Sequence, residues 1–163
     1  MNESLNIGTL LSGVMNDTLS VSLPLFRPEL ALSATIVLLL LCRMLPVLRW
    51  LDSALVALGG ASFVLWYAWL DLEALPLNLV STAASGGRTE LFSGLLVYDS
   101  FTAFIRFILA GFLVLYILFT KVSGIPDRED GADFYSLVLG STLGMCLMAS
   151  ANHLLMVFMA VEM

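Results

Sequence analysis

A chain of 163 residues that is 60% hydrophobic and 12% charged, with a mean hydropathy of +0.97, falls outside the soluble range of ~45–50% apolar and ~25% charged. A soluble domain of this size has too little interior to hide so much apolar side chain, so lipid must act as the solvent. The formal net charge of −6, with only seven scattered Lys and Arg, excludes a nucleic-acid surface, which needs clustered cations.

The expected fold is all-α: a polytopic transmembrane helix bundle with four spans and the start of a fifth. Residues 1–29 have no basic n-region and carry Glu3, Asp17 and Glu29, so they do not read as a secretory signal. They form a lead-in touching the membrane surface. A membrane helix takes ~20 mostly apolar residues, and the first such stretch is 30–48. Arg43 near its end can snorkel to the headgroups, and Pro46 loosens only the last turn. Asp52 and Ser53 are good N-cap residues for a second span over 54–70, with Trp66, Tyr67 and Trp69 at its far end, where amphipathic rings favour the interface. A polar loop is expected over 71–90.

The third span is expected over 95–119 and contains Asp99 and Arg106. Beyond Lys121 the stretch SGIPDREDGAD breaks the helix at Pro126, and Asp130 or Asp133 can cap a fourth span over 134–151. Gly140 and Gly144 place two bare backbone patches on one face of that span, where a neighbouring helix can come close. Asn152 and His153 make a polar break. The apolar run 154–163 covers only ~15 Å as a helix, about half of a ~30 Å hydrocarbon core. A helix end in hydrocarbon is very costly, so the sequence reads as a piece of a longer chain. The connections after spans one and three carry Arg43, Arg49, Lys121 and Arg128, against Arg27 and Arg88 on the other side. That bias puts the N-terminus outside and the cation-rich connections in the cytoplasm.

The informative residues are the charges that do not belong in lipid. Each costs roughly 2.5–3.5 kcal/mol near a helix centre on insertion scales, so each faces a protein or water-filled interior. Glu162 lies ten residues beyond Asn152, ~15 Å into the membrane. A carboxyl group there, balanced between burial and a cationic partner, can load and release a proton. The bland alternative is a structural Glu bonded to a neighbouring helix. Arg106 sits near the middle of span three, with Asp99 seven residues earlier and ~10 Å away along the axis. The two are expected to have separate partners, with Asp99 near the interface and Arg106 a possible long-range electrostatic support for Glu162. His153 could shuttle protons at the mouth of such a path or simply be solvated. Asp127, Glu129, Asp130 and Asp133 read as a solvated loop face, not a metal site. Cys42 and Cys146 read as small buried hydrophobes. No phosphate loop, nucleophile elbow, HExxH or Cys ligand set is present.

Three stretches carry a resemblance: Arg27-Pro28-Glu29, LFSGLLVYDSFTAFIRFIL (91–109) and GIPDREDGADFYSLVLGSTLGMCLMASANHLLMVFMAVEM (124–163). Together they resemble subunit N of bacterial proton-translocating NADH:quinone oxidoreductase (respiratory complex I), an antiporter-like membrane subunit, over roughly its N-terminal third. The resemblance implies a bacterial inner-membrane location, other membrane-arm subunits as partners, and FMN, iron–sulfur clusters and the quinone site in those other subunits, with no cofactor in this chain. It implies that Glu162, in FMAVEM, is the buried glutamate of the fifth helix, paired in proton transfer with a lysine on a later helix beyond Met163. The family usually has Gly at the position of Ala160, a conservative change. Asp99 matches an acidic position at the start of the third helix, and Asn152 and His153 match a polar pair without an assigned role. Two rival readings are a subunit of a multi-subunit monovalent cation/proton antiporter and a membrane scaffold with no transport role.

Overall fold

The computed structural model describes residues 15, 22–44, 52–82, 89–92, 94–124 and 131–163, with side chains described to residue 73 in the third of these segments. After a helical turn at Leu23–Leu25, helix α1 runs Arg27–Met44. Its first turn holds Glu29 and its last turn Arg43, each at the end where its charge complements the helix dipole. Helix α2 runs Ser53–Thr82, and Asp52 starts it by accepting from the Ala54 amide at 3.4 Å. Strands β1 (Thr89–Leu91) and β2 (Leu96–Tyr98) then pair antiparallel, with Leu91 opposite Leu96. Helix α3 runs Ser100–Ser123, α4 Gly131–Ser150 and α5 Leu154–Glu162. Gly124, in the left-handed region at φ 65°, stops α3, as glycine can without strain.

α1 packs on α2 and α4, and α3 also packs on α2 and α4, so α1 and α3 face each other across a four-helix bundle. Small residues let the helices close up. Ala57 and Ala61 on α2 are fully buried, and a Cβ on Gly60 would collide with the Thr35 side chain of α1. Leu32, Leu39, Leu113, Ile117, Leu139 and Tyr135 fill the middle. The opposite faces present large apolar residues, such as Phe101, Phe104, Ile108, Phe112 and Phe119 on α3, outward. A soluble bundle would carry polar groups there.

Among the described residues, α2 (Ser53–Glu73), α3 and α4 are long and apolar enough to cross a membrane. The expected first span is a helix, but one of 18 residues carrying Arg27, Glu29 and Arg43. Residues 45–50, including Pro46, lie outside the described residues, as do Glu3, Asp17, Arg49, Arg88, Asp127, Arg128, Glu129 and Asp130.

Three expected boundaries are corrected. α1 begins at Arg27, so Glu29 belongs to the bundle and not to the lead-in. The loop expected over 71–90 is helical to Thr82, because Asp71-Leu-Glu-Ala-Leu continues α2 with good helix formers. The third span does not begin at Leu95. Leu96–Tyr98 is a strand, and Asp99 separates it from α3 by accepting from the Ser100 amide at 2.6 Å. The fourth helix covers the expected 134–151 except for its last residue.

The hairpin seals one end of the bundle. Phe92 (φ 51°) and Gly94 (φ 86°) take left-handed conformations in its turn. The Phe92 amide donates to Ser22 Oγ at 3.3 Å, and its ring meets Phe26 edge-on at 5.4 Å. From the α4–α5 junction, Asn152 donates through its side chain to Gly94 O at 2.9 Å and through its amide to Leu95 O at 3.1 Å. The opposite end is tied by ion pairs from Arg43 to Asp133 and from Lys121 to Asp52, the latter at 3.3 Å.

Candidate functional site

The described structure holds two separate places where charge sits among apolar helices. One is at the hairpin end, inside the bundle. Glu29 of α1 is 0% exposed and Arg106 of α3 is 2% exposed, and Arg106 Nη2 lies 2.5 Å from Glu29 Oε1. α1 and α3 both start at the hairpin end and run parallel, so the N-terminal turn of α1 and the second turn of α3 meet across the bundle. Arg106 Nη1 also donates to the Leu25 carbonyl at 3.3 Å, and its guanidinium lies over the Tyr98 ring at 5.4 Å, a cation–π contact. Asp71 of α2 interacts electrostatically with both Glu29 and Arg106, and Cys146 of α4 is within the field of the same pair. Each helix of the bundle therefore contributes one polar or polarizable group. Burial, then the Asp71 carboxylate, push the Tyr98 phenol up to about 12 against the opposing Arg106 charge, so Tyr98 stays neutral and keeps its proton.

The separation expected between Asp99 and Arg106 is what the structure has. Asp99 is exposed and serves as the N-cap of α3, while Arg106 finds its partner on another helix. Sequence reasoning missed that partner. By sequence alone Glu29 falls in the lead-in over 1–29 and Asp71 in the loop expected over 71–90. The available signal was that Glu29 directly precedes the apolar run, in the first turn of any helix that starts at the Arg-Pro dipeptide.

The second place is α5. His153 begins it, its Nδ1 accepting from the Leu155 amide at 3.3 Å, a capping geometry. Gly144 of α4 then meets α5 closely. A Cβ there would lie 2.9 Å from the Ala160 carbonyl oxygen and 3.4 Å from Met163 Cβ. Gly140, its expected companion, has nothing within 4 Å. The contact fixes the depth of Glu162, because Ala160 and Met163 bracket it. Gly144 stands six residues, or ~9 Å, inside the end of α4, so Glu162 lies toward the middle of that membrane helix. Its side chain is exposed and points away from the bundle. Glu162 and Arg106 are thus on different surfaces, one outside the four-helix core and one inside it. The described residues contain no group of three or more His, Cys, Asp or Glu able to hold a metal ion.

Apolar outer faces on helices long enough to cross a membrane, with charge confined to the interior and the helix ends, define a multi-pass α-helical membrane protein. No family model and no solved structure matches the chain. It is, however, 33% identical over 87% of its length to NADH-quinone oxidoreductase subunit N 2 of Sorangium cellulosum. It is also 35% identical over 83% to subunit N 1 of Opitutus terrae, and 30% identical over 90% to subunit N of Rhizorhabdus wittichii. The matches cover 28%, 25% and 28% of those relatives, so the chain spans about a quarter of their length. The chain is a homologue of part of NADH-quinone oxidoreductase subunit N.

Proposed function

We propose that this chain forms part of a membrane-arm subunit of an NADH-quinone oxidoreductase and takes part in proton translocation coupled to NADH oxidation and quinone reduction. The observation that carries the reading is the level of Glu162: a carboxyl group set toward the middle of a membrane helix, on the outward face of a helix packed through Gly144. A carboxyl group at that depth, facing a cationic side chain supplied from elsewhere in the subunit, is the kind of group that a transmembrane proton path uses. The partner in this reading is a lysine on a later helix, and the redox groups belong to other subunits of the same bacterial inner-membrane assembly.

α1 and α5 are taken to lie in the membrane with α2, α3 and α4. The charges of α1 support this, since Glu29 is enclosed by the bundle and Arg43 is at a helix end, where it can reach headgroups. Arg43 and Lys121 are at the same end of the bundle, which favours that end as cytoplasmic and the hairpin end, with the N-terminus, as outside. Asp99 and His153 act as helix caps in this account and not as proton carriers.

The test is Glu162→Gln in the full-length subunit, assembled in the intact complex. The expected result is normal assembly with a lower number of protons moved per NADH oxidised. Unchanged stoichiometry and unchanged pH dependence would leave a membrane scaffold as the better description.

A further inference from the structure

The buried pair at the hairpin end is close but poorly aligned. The Glu29 carboxylate lies against Arg106 Nη2 at 2.5 Å and is approached by its own backbone amide, yet Oε1 and Oε2 of Glu29 and Nε and Nη2 of Arg106 make no well-aligned hydrogen bond among the described residues. All four are out of contact with solvent. Buried polar atoms of this kind are almost always satisfied by protein or by an ordered small molecule.

The unmet needs are of opposite kinds. The carboxylate oxygens require donors, and the guanidinium nitrogens require acceptors. A bound cation would satisfy the first and face Arg106, and a bound anion would satisfy the second and face Glu29. One small neutral ligand both donates and accepts, and internal waters typically make two to four hydrogen bonds to such groups. We propose that the Glu29–Arg106 pair is a resident internal water site, holding one or a few waters that donate to Glu29 and accept from Arg106.

The walls of the site suit this. Tyr98 closes it toward the hairpin with its ring on the guanidinium, and the Leu25 carbonyl takes Nη1. The neighbouring Thr102 hydroxyl lies 3.4 Å from the Ala149 carbonyl and 3.5 Å from the Val97 carbonyl. It is therefore already engaged. Asp71 of α2 adds a further negative charge to the surroundings of the pair, and Cys146 of α4 lies within the same field. The site is on the other side of the bundle wall from Glu162, so its existence does not depend on the proton-carrying role proposed for that residue.

Two measurements on the intact complex decide it. In a cryo-electron microscopy map that resolves internal waters elsewhere in the assembly, density is expected within ~3.2 Å of both a Glu29 oxygen and an Arg106 nitrogen. A guanidinium and carboxylate in direct two-point contact, with no density between or beside them, would overturn the proposal. The second measurement is radiolytic labelling in ¹⁸O-water, with buried Cys146 as the reporter. Oxygen from the internal water is expected on Cys146 in the wild type and at background in the apolar double variant Glu29→Leu/Arg106→Met. Equal labelling in both, with the fold retained, would also overturn it. Should the double variant fail to assemble, the wild-type map alone still gives the answer.

Discussion

Arg106→Met is the most informative single perturbation of the fold. It removes the guanidinium and leaves Glu29, at 0% exposure, without its charge partner. With charge centres ~4 Å apart and an effective dielectric of ~20, the lost attraction is about 4 kcal/mol. This agrees with the roughly 3–5 kcal/mol observed when one partner of a buried pair is deleted. Glu29→Leu should cost a similar amount for the converse reason. The double variant Glu29→Leu/Arg106→Met should recover most of the loss, because two apolar side chains remove both desolvation costs together. The assay is reversible unfolding of the purified full-length subunit in lipid–detergent micelles, read as a double-mutant cycle. A double variant as unstable as the sum of the singles would refute the argument that the pair, and not each side chain's packing, sets the cost.

Further predictions follow from the same geometry. Gly144→Val should displace α5, because a side chain there meets backbone at Ala160, and should cost about 1–3 kcal/mol, whereas Gly140→Ala should be near neutral; cysteine cross-linking between α4 and α5 reads the difference. Asp99→Ala should lower stability by about 1 kcal/mol through loss of the α3 cap and leave proton translocation intact, measured on the assembled complex. Arg43→Gln should change stability by less than about 1 kcal/mol, since its partner Asp133 and Arg43 itself are half exposed. The Tyr98 phenol is raised from 10.0 to about 12 in the folded protein, so the unfolded chain loses that proton first. Its contribution to stability is therefore full below pH 10 and fades between pH 10 and 12, a slope that Tyr98→Phe should flatten in alkaline unfolding curves.

Much of the bundle was legible because lipid imposes a simple grammar. Runs of Leu, Ile, Val and Phe of sufficient length mark α2, α3 and α4, and Asp52 and the polar Asn152-His153 break mark the start of α2 and the end of α4. Glu162 stood out for the same reason, a charge where the solvent disfavours it. The hairpin was hidden because Leu-Leu-Val-Tyr is apolar enough to pass for the start of a membrane helix; only the Ser-Gly turn signal and the long-range bonds from Asn152 separate the two. Glu29 and Asp71 were hidden for a different reason. Charges near the ends of apolar runs are assigned to the interface by default, and only the tertiary arrangement shows that α1 and α3 bring theirs to one buried point, with Asp71 of α2 close enough to act on both electrostatically.

Position 162 is expected to be shielded from bulk water at the depth set by the Gly144 contact. In the intact complex, with Cys42 and Cys146 replaced by Ala, a Glu162→Cys variant should resist a membrane-impermeant maleimide from either side, while a cysteine at Asp99 should react readily. Ready labelling at 162 by the same reagent would contradict the account and leave the helix bundle without its proton carrier.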